Sequence, residues 1–465
     1  MQLLLLILTL FCLQSCTIIN TLDKNYRKKE IATFIDNHIQ KTKLNMLLSM
    51  KVASLSTGQT LYEKNSAKLL IPASTVKLFT SAASLYYLDS QHIFKTVIAK
   101  KKNNIILHGG ADPGLSTKNL DSLANIVAIK MANIDTLFID DGILDSINYG
   151  KGWTWDEGSE QYSAPIGGLT LNGNCIDFLC SPSSPGQSVK IKLLPETGYV
   201  SFTNNSLTVV DTLNNKKLTI DRDWLNQTNH FQITGTIIEG NYIDTVKKNI
   251  YNPTQYTGLV FKELLKSRGF NIKKLQMKNF NEKTDTLAKH DSEPLLKHLK
   301  QMMYKSDNLT SELVIKYISA NDTTKGNWDD GIDSVKMFLS EKVKIDTNSI
   351  RIADGSGLSR YNLISTNQVV ELLKYMNDTE LKNKYKSILP SGNTKDTGLH
   401  RRLRKNSKRI NAKTGTLSGV SCLSGYINSP KYGPLAFSII INGFVGSVEP
   451  YRKFQDDICS WLIQD

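Results

Sequence analysis

The sequence predicts a mixed α/β (α+β) protein with a mainly antiparallel sheet built from both ends of the chain and split by a large β-rich insertion. Near the N-terminus, residues 51–55 and 61–62 flank a Ser-Thr-Gly-Gln turn, which indicates a β-hairpin. Near the C-terminus, residues 410–417, 420–427 and 435–444 have the pattern of three successive strands. The stretch 96–285 between these ends carries many short β patterns punctuated by Asn, Gly and Pro.

Three helical patterns complete this arrangement. Downstream of Ile71-Pro72-Ala73, apolar residues recur at helical spacing on more than one face, which predicts a buried helix. A second helix is predicted from Pro253 to a C-cap at Gly269, and it is the one helix expected inside the insertion. The last helix carries four apolar residues at helical spacing: Phe454, Ile458, Trp461 and Leu462.

With 465 residues, the chain is too long for one compact core, so a division into domains is expected. Segments 23–95 and 286–465 are predicted to form one discontinuous catalytic domain, and 96–285 to form an inserted β-rich region of one or two sub-domains. A hydrophobic content of 40% is ordinary for a globular protein and argues against extended disorder.

The net charge of +14 admits two interpretations. One is an ordinary solvated basic surface, and the other is attraction to a polyanion. Because no nucleic-acid-binding module is recognisable, nucleic acid is excluded as a partner, and anionic polymers or lipid head groups of the cell envelope fit better.

The N-terminus predicts export from the cytoplasm. Its apolar run is shorter than the ~20 residues that a membrane-spanning helix needs, so it reads as the core of a signal peptide. Leu13-Gln14-Ser15-Cys16 then resembles a bacterial lipobox, which predicts a signal segment over residues 1–16 and lipidation at Cys16. A plain cleaved signal or an uncleaved anchor is the alternative.

Four cysteines remain beyond this segment: Cys175, Cys180, Cys422 and Cys459. Disulfides are permitted in an exported chain, and a pair between Cys175 and Cys180 across a turn is one hypothesis among three connectivities. No metal site and no cofactor are predicted, because neither C-x-x-C nor H-E-x-x-H occurs and the chain has only 7 histidines.

Three short motifs in a fixed order supply the parts of a serine acyl-transfer site. In Ser74-Thr75-Val76-Lys77, the lysine lies one helical turn from a hydroxyl that needs a base. Ser306-Asp307-Asn308 precedes an amphipathic pattern, which separates it from matches such as Ser146–Asn148 and Ser365–Asn367. Lys413-Thr414-Gly415 lies within a strand pattern, where the glycine permits close approach of another backbone.

These motifs, together with further segments, resemble the D-alanyl-D-alanine carboxypeptidase/endopeptidase family, the low-molecular-mass class C penicillin-binding proteins of peptidase S13 type. The resemblance covers nearly the whole mature chain, and the long gap from Ser74 to Ser306 suits the insertion of this class. The further matching segments are Ala164-Pro165, Leu171–Asn174, Asp354–Arg360, Ala412–Leu417 and Leu423–Tyr426.

The resemblance implies a serine β-lactamase/transpeptidase-like fold and an enzyme acting on peptidoglycan stem peptides through an acyl-serine intermediate. It implies that Ser74 is the nucleophile, Lys77 the base and Ser306 a proton relay. It further implies substrate binding by Asn308, Lys413, Thr414, Gly415 and Thr416. β-Lactams are the implied covalent inhibitors, and the implied location is the periplasm or cell envelope, with a lipid anchor in the membrane.

Two alternatives stay open at this point. The first is a β-lactamase or esterase on the same scaffold, which would release a penicilloyl group quickly. The second is a non-catalytic, glycan-binding envelope protein, which would have no need of intact Ser74, Lys77, Ser306, Asn308 and Lys413. The balance between carboxypeptidase and endopeptidase activity is not decided by the sequence.

Overall fold

The computed structural model describes residues 26–210, 216–280, 284–321, 323–404 and 408–464. The predicted signal segment and its lipidation site Cys16 lie outside these residues. Within the described part of the chain, no helix combines the length and apolar character that a bilayer span requires.

The strands, in chain order, are β1 Leu47–Ser54, β2 Thr60–Lys64, β3 Lys95–Lys101, β4 Asn104–His108, β5 Thr136–Asp140, β6 Cys175–Ser181, β7 Lys190–Leu194, β8 Ser201–Asn204, β9 Leu207–Val209, β10 Thr219–Arg222, β11 His230–Thr234, β12 Thr236–Ile238, β13 Asp244–Asn249, β14 Lys274–Met277, β15 Asp285–Asp291, β16 Ile410–Leu417, β17 Val420–Ser429 and β18 Gly433–Asn442.

The helices are α1 26–42, α2 Lys77–Tyr87, α3 Thr117–Lys130, α4 Pro253–Lys266, α5 Leu295–Lys305, α6 Asn308–Ile318, α7 Trp328–Phe338, α8 Thr366–Asp378, α9 Lys382–Ile388, α10 Gly398–Leu403 and α11 Glu449–Ile463. Short 3₁₀ or π segments lie at Ala73–Val76, Trp155–Glu157, Gln161–Ser163, Leu339–Val343 and Thr347–Ser349.

The chain divides into two compact units. The first contains the chain up to Leu78, Leu339–Ile352 and the chain from Arg360 onward, and the second contains Phe79–Phe338 and Ala353–Ser359. These bounds differ from the predicted bounds of the inserted region, 96 and 285, and that region stays a prediction.

The first unit is built on a five-stranded antiparallel sheet in the order β16-β17-β18-β1-β2. Met50 of β1 lies opposite Ile439 of β18, so strands from both chain ends pair as the sequence predicts. Helices α1 and α11 cover one face, where the rings of Phe34 and Trp461 stack with centroids 4.1 Å apart. The predicted hairpin and the three C-terminal strands are thus confirmed.

The second unit contains a five-stranded sheet, β14-β5-β4-β3-β15, and smaller sheets formed by β6–β13. Its core includes buried residues of α3 and α4 together with the large sheet. The predicted helix at Pro253 is confirmed, but α3 also lies in the stretch that was expected to hold one helix. The capping box at the N-terminus of α3 pairs Ser116 with Asn119. Asn119 occupies the position where a capping box usually has Glu or Gln.

The four described cysteines are buried free thiols. The hypothesis of a Cys175–Cys180 disulfide is wrong, because both residues lie in the single strand β6. Five residues of extended chain span about 16 Å and end on the opposite face of the sheet. A disulfide requires Cα atoms within about 7 Å of each other.

Candidate active site

Ser74 lies on a tight turn that enters α2. Ala73 is buried with φ +45°, a left-handed conformation that is unfavourable for alanine. Ala73–Val76 then forms a 3₁₀ segment, whereas the sequence predicts that Ser74 lies in the first turn of the helix itself. Because residues i and i+3 eclipse in a 3₁₀ turn, Ser74 and Lys77 still face the same side. The Lys77 Nζ donates to Ser74 Oγ at 3.2 Å.

Strand β16 runs directly beside this turn within the first unit. A Cβ atom on Gly415 would lie 3.0 Å from the Pro72 carbonyl oxygen and 3.1 Å from the Ser74 nitrogen. The glycine therefore lets the strand approach the nucleophile's backbone, as the sequence predicts. Thr414 and Thr416 flank it, and by the alternation of a strand their side chains point to the opposite face from that of Lys413.

Replacing Gly415 with alanine should slow acylation of Ser74 by about tenfold to a hundredfold, because the added methyl group pushes β16 away from the turn. A misplacement of about 1 Å at reacting groups has effects of this size. The rate of penicillin adduct formation measures the effect. Gly198→Ala is a glycine control, since its backbone is not left-handed and an added Cβ would meet only the Glu263 Oε1 atom, at 3.4 Å. Parent-like acylation by Gly415→Ala would contradict the prediction.

Two lysines are buried together near Ser74. Lys77 and Lys413 are both almost fully buried. Burial, and then the Lys77 charge, lower the pKa of Lys413 well below its usual range. The Lys413 Nζ donates to the Thr414 carbonyl oxygen at 2.9 Å. Proximity of two desolvated amines favours states in which one of them is neutral, as a lysine base requires.

In the second unit, Ser306 lies between two helices. It ends α5 with φ +56°, and its N–H bonds the Met302 carbonyl oxygen. The sequence predicts that Ser306 opens a helix, but α6 begins two residues later, at Asn308. Asp307 is the N-cap, and its carboxylate accepts from the Thr310 N–H at 2.9 Å. The middle residue of this motif thus has a structural role.

Asn308 is held at the first position of α6. Its side chain is buried, and Nδ2 donates to the Tyr162 carbonyl oxygen at 2.9 Å. This bond fixes the plane of the side-chain amide, whose nitrogen donates and whose oxygen accepts.

A buried carboxylate that the sequence does not predict lies one turn beyond Asn308. Glu312 is fully buried and accepts from the N–H groups of Gly355, at 2.9 Å, and Ser356, at 2.8 Å. It also accepts from the Trp328 indole N–H at 2.8 Å. Burial, and then the charge of Asp354, raise the pKa of Glu312. A glutamate directly before the apolar run Leu313–Ile315 of α6 was the available signal.

Asp354 organises the glycine-rich loop that follows it. Its carboxylate accepts from the N–H groups of Gly357 and Ser359 and from the Trp153 indole, at 2.6–3.0 Å. Together with Glu312, it satisfies the buried donors of the loop. These contacts give Asp354 a structural role in holding the loop.

The family model of the D-Ala-D-Ala carboxypeptidase 3 (S13) family matches residues 31–464 of this chain. The chain belongs to the D-Ala-D-Ala carboxypeptidase 3 (S13) family. The family that the motifs predict is therefore confirmed. The match extends through all three motifs and both compact units.

Two curated relatives are similar over most of their length. A D-alanyl-D-alanine carboxypeptidase of Actinomadura sp. (strain R39) is 32% identical over 422 residues, which are 85% of this chain and 77% of the relative. The D-alanyl-D-alanine carboxypeptidase DacB of Haemophilus influenzae is 27% identical over 418 residues, which are 86% of each chain.

Solved structures show the same fold. Penicillin binding protein 4 (dacB) of Haemophilus influenzae superposes with a TM-score of 0.79 at 24% identity, over 93% of this chain and 99% of that one. The predatory endopeptidase Bd0816 of Bdellovibrio bacteriovorus, solved in complex with an immunity protein, gives a TM-score of 0.53 at 15% identity, over 90% and 94%. The predicted α/β fold with antiparallel sheets is confirmed.

As a member of the S13 family, the chain is a serine-type hydrolase of the D-Ala-D-Ala carboxypeptidase class. Its substrate is the peptide of peptidoglycan, and its place of action is therefore the periplasm or cell envelope. These predictions from the sequence are confirmed. Neither the family match nor the relatives favour the β-lactamase alternative or the non-catalytic one.

Proposed function

We propose that Ser74 and Lys77 carry out the acyl transfer. Lys77 Nζ, as the neutral amine, takes the Ser74 Oγ proton while Oγ attacks the carbonyl carbon of the penultimate D-alanine. The amide C–N bond then breaks, and the leaving amine receives a proton relayed by Ser306 with the help of Lys413. Water hydrolyses the resulting ester and restores the serine hydroxyl. The 3.2 Å contact between Lys77 and Ser74 is the observation that carries this proposal.

Recognition of the substrate is assigned to the strand and to the start of α6. Lys413, Thr414 and Thr416 bind the carboxylate of the leaving residue, and Gly415 brings the strand to the nucleophile. The backbone N–H groups of Ser74 and Thr416 form the oxyanion hole, where fixed donors stabilise the developing charge. The close approach at Gly415 supports this, because it places β16 against the Ser74 nitrogen.

Asn308 holds a peptide group of the substrate through its side-chain amide. Its fixed orientation against the Tyr162 carbonyl oxygen supports this assignment. Both a terminal D-alanine and a D-alanyl cross-bridge present the same scissile unit to such a site. The proposed activity is therefore cleavage of either bond in stem peptides.

Inhibition by β-lactams and attachment to the membrane complete the proposal. Penicillin binding protein 4 of Haemophilus influenzae has been solved in complex with a novel β-lactam, which supports covalent inhibition at Ser74. The lipobox-like sequence ending at Cys16 supports a lipid anchor. Labelled fatty acid should be incorporated into the parent chain and not into Cys16→Ala.

Intact-protein mass after incubation with penicillin tests the nucleophile. The parent should gain one penicilloyl group and Ser74→Ala none, because only an activated hydroxyl opens the lactam ring. Ser84→Ala is the matched control: Ser84 is a buried serine of α2 whose hydroxyl donates to the Thr80 carbonyl oxygen, and it should be acylated like the parent.

The time course of the adduct separates the alternatives. A stable adduct supports a penicillin-binding protein, and hydrolysis assays on stem peptides then define the bond that is cut. Rapid loss of the adduct with turnover of the antibiotic would favour a β-lactamase. No adduct on folded parent protein would contradict the proposal and favour a non-catalytic role.

A further inference from the structure

A cationic pocket lies beside the strand that carries the proposed carboxylate site. This arginine pocket, lined by Arg401, Arg402, Arg452, Glu449, Thr414 and Thr416 among others, has a volume of about 380 Å³. All of these residues belong to the first unit. Three guanidinium groups against one lining carboxylate make the pocket net positive.

Two of the three arginines are fixed by neighbours. Arg402 forms a bidentate pair with Asp456, with distances of 2.8–3.1 Å, and also donates to the Gln455 side chain at 2.8 Å. Arg452 pairs with Glu449 at 2.6 Å and donates to the Thr416 hydroxyl at 3.3 Å. The Thr416 hydroxyl that accepts from Arg452 keeps its own proton for donation to a substrate oxygen.

Arg401 differs from the other two. It is exposed on α10 and has no ion-pair or hydrogen-bond partner among the described residues. A guanidinium group with five free donors is well suited to bidentate recognition of a carboxylate. Arg401 therefore offers a ligand in the pocket guanidinium donors that contacts among the described residues do not occupy.

The position of the pocket indicates which part of a substrate reaches it. By the proposed function, Thr414 and Thr416 bind the carboxylate of the residue that leaves. Whatever else the leaving residue carries extends from the same threonines, which also line the arginine pocket. Pockets that hold whole ligands typically begin at about 300 Å³, so free D-alanine, a very small molecule, leaves much of this one empty.

We propose that the arginine pocket is a leaving-group subsite that binds a second carboxylate, beyond the one next to the scissile amide. The inference rests on the proposed function and deepens it. Free D-alanine has a single carboxylate, whereas the leaving half of a cross-linked stem peptide carries more. The pocket thus favours acidic cross-linked peptides as substrates, and hence endopeptidase cleavage.

Binding to the uncleaving Ser74→Ala protein tests the subsite. Two cross-linked stem-peptide dimers are compared by calorimetry, identical except that the additional carboxylates of the leaving half are free in one and amidated in the other. The free-acid dimer should bind about tenfold more tightly, the size of effect expected for a charge-assisted hydrogen bond. Equal affinities would overturn the proposal without any further variant.

Variants then show which residue gives the tighter binding of the free-acid dimer. In the Ser74→Ala protein, Arg401→Gln should reduce the affinity ratio of the free-acid to the amidated dimer to about twofold. In the same protein, Arg401→Lys should retain part of this ratio. Arg404→Gln is the matched control, because Arg404 is an exposed arginine at the end of α10 that does not line the pocket. An undiminished preference in Arg401→Gln would contradict the subsite. Failure of the proposed function shows up separately, as absence of a penicillin adduct on the parent with Ser74 intact.

Discussion

Lys77→Met should reduce the rate of Ser74 acylation by about 10²- to 10⁴-fold, the usual contribution of a positioned general base. Lys77 Nζ is 3.2 Å from Ser74 Oγ, and methionine offers no basic atom at that place. Methionine is unbranched and close in length, so it can fill the same fully buried space. The measurement is the rate at which penicillin adduct accumulates, followed by intact mass.

The same substitution should leave the free energy of unfolding unchanged or slightly increased. Replacing a buried amine by an apolar group of similar shape removes a desolvation cost, which offsets the loss of the hydrogen bond to Ser74. Loss of activity with retained stability therefore separates a base from a structural lysine. A penicillin adduct that forms on Lys77→Met at the parent rate would contradict the assignment.

Lys51→Met provides the matched control in the same unit. Lys51 is also a buried lysine, but its ammonium is paired with Glu371 at 3.2 Å, away from the motifs. Its removal takes away one of the two lysine partners of Glu371, which still pairs with Lys374 at 2.9 Å, so we expect a modest loss of stability. Acylation of the folded fraction should remain at the parent rate.

Local patterns in the sequence predict the parts of the fold whose signals are local. Alternation along 410–444 and the Ser-Thr-Gly-Gln turn suffice to predict the antiparallel sheet that both chain ends share. The position of Gly415 against the Ser74 turn also follows from its place in a strand pattern. In each case a few neighbouring residues determine the geometry.

The backbone conformation at the motifs depends on more distant structure. Nothing local to Ala73 or Ser306 requires a positive φ, since neither residue favours it, and surrounding packing has to impose it. The sequence pattern therefore predicts that helices include Ser74 in their first turn and open at Ser306. The structure instead has a 3₁₀ turn at Ser74, and Ser306 ends α5 two residues before α6 begins. Unfavourable backbone conformations at both motifs are consistent with their assignment to function.

The arginine pocket illustrates the same limit. Arg401 lies on α10, Thr416 on β16 and Arg452 on α11, and their spacing in the sequence does not predict that they line one cavity. Considered alone, each arginine is typical of an ordinary charged surface residue. Their common function becomes visible only when tertiary structure brings them together.

Glu312→Ala should lower the free energy of unfolding by about 4 kcal/mol at pH 5. The substitution leaves the Gly355 and Ser356 N–H groups and the Trp328 indole N–H without an acceptor in a buried place. Each stranded donor costs about 1–3 kcal/mol, so the sum exceeds the gain from removing a buried carboxyl group. Urea unfolding of the parent and the variant measures the difference, and Glu239→Ala, at an exposed glutamate, should change stability by less than about 0.5 kcal/mol.

At pH 8, Glu312→Ala should lower the free energy of unfolding by only about 1 kcal/mol, because ionisation of Glu312 destabilises the folded parent. Burial and the charge of Asp354 raise the pKa of Glu312 from 4.5 to about 7. Between these two values, the folded parent keeps a proton that the unfolded chain has released, so its unfolding free energy falls as pH rises, by about 3 kcal/mol in all. The alanine variant lacks this group and this fall. An equal loss of unfolding free energy at pH 5 and pH 8 would mean that Glu312 is already ionised in the folded protein at pH 5. Its hydrogen-bond donors would then lower its pKa by more than burial and the Asp354 charge raise it.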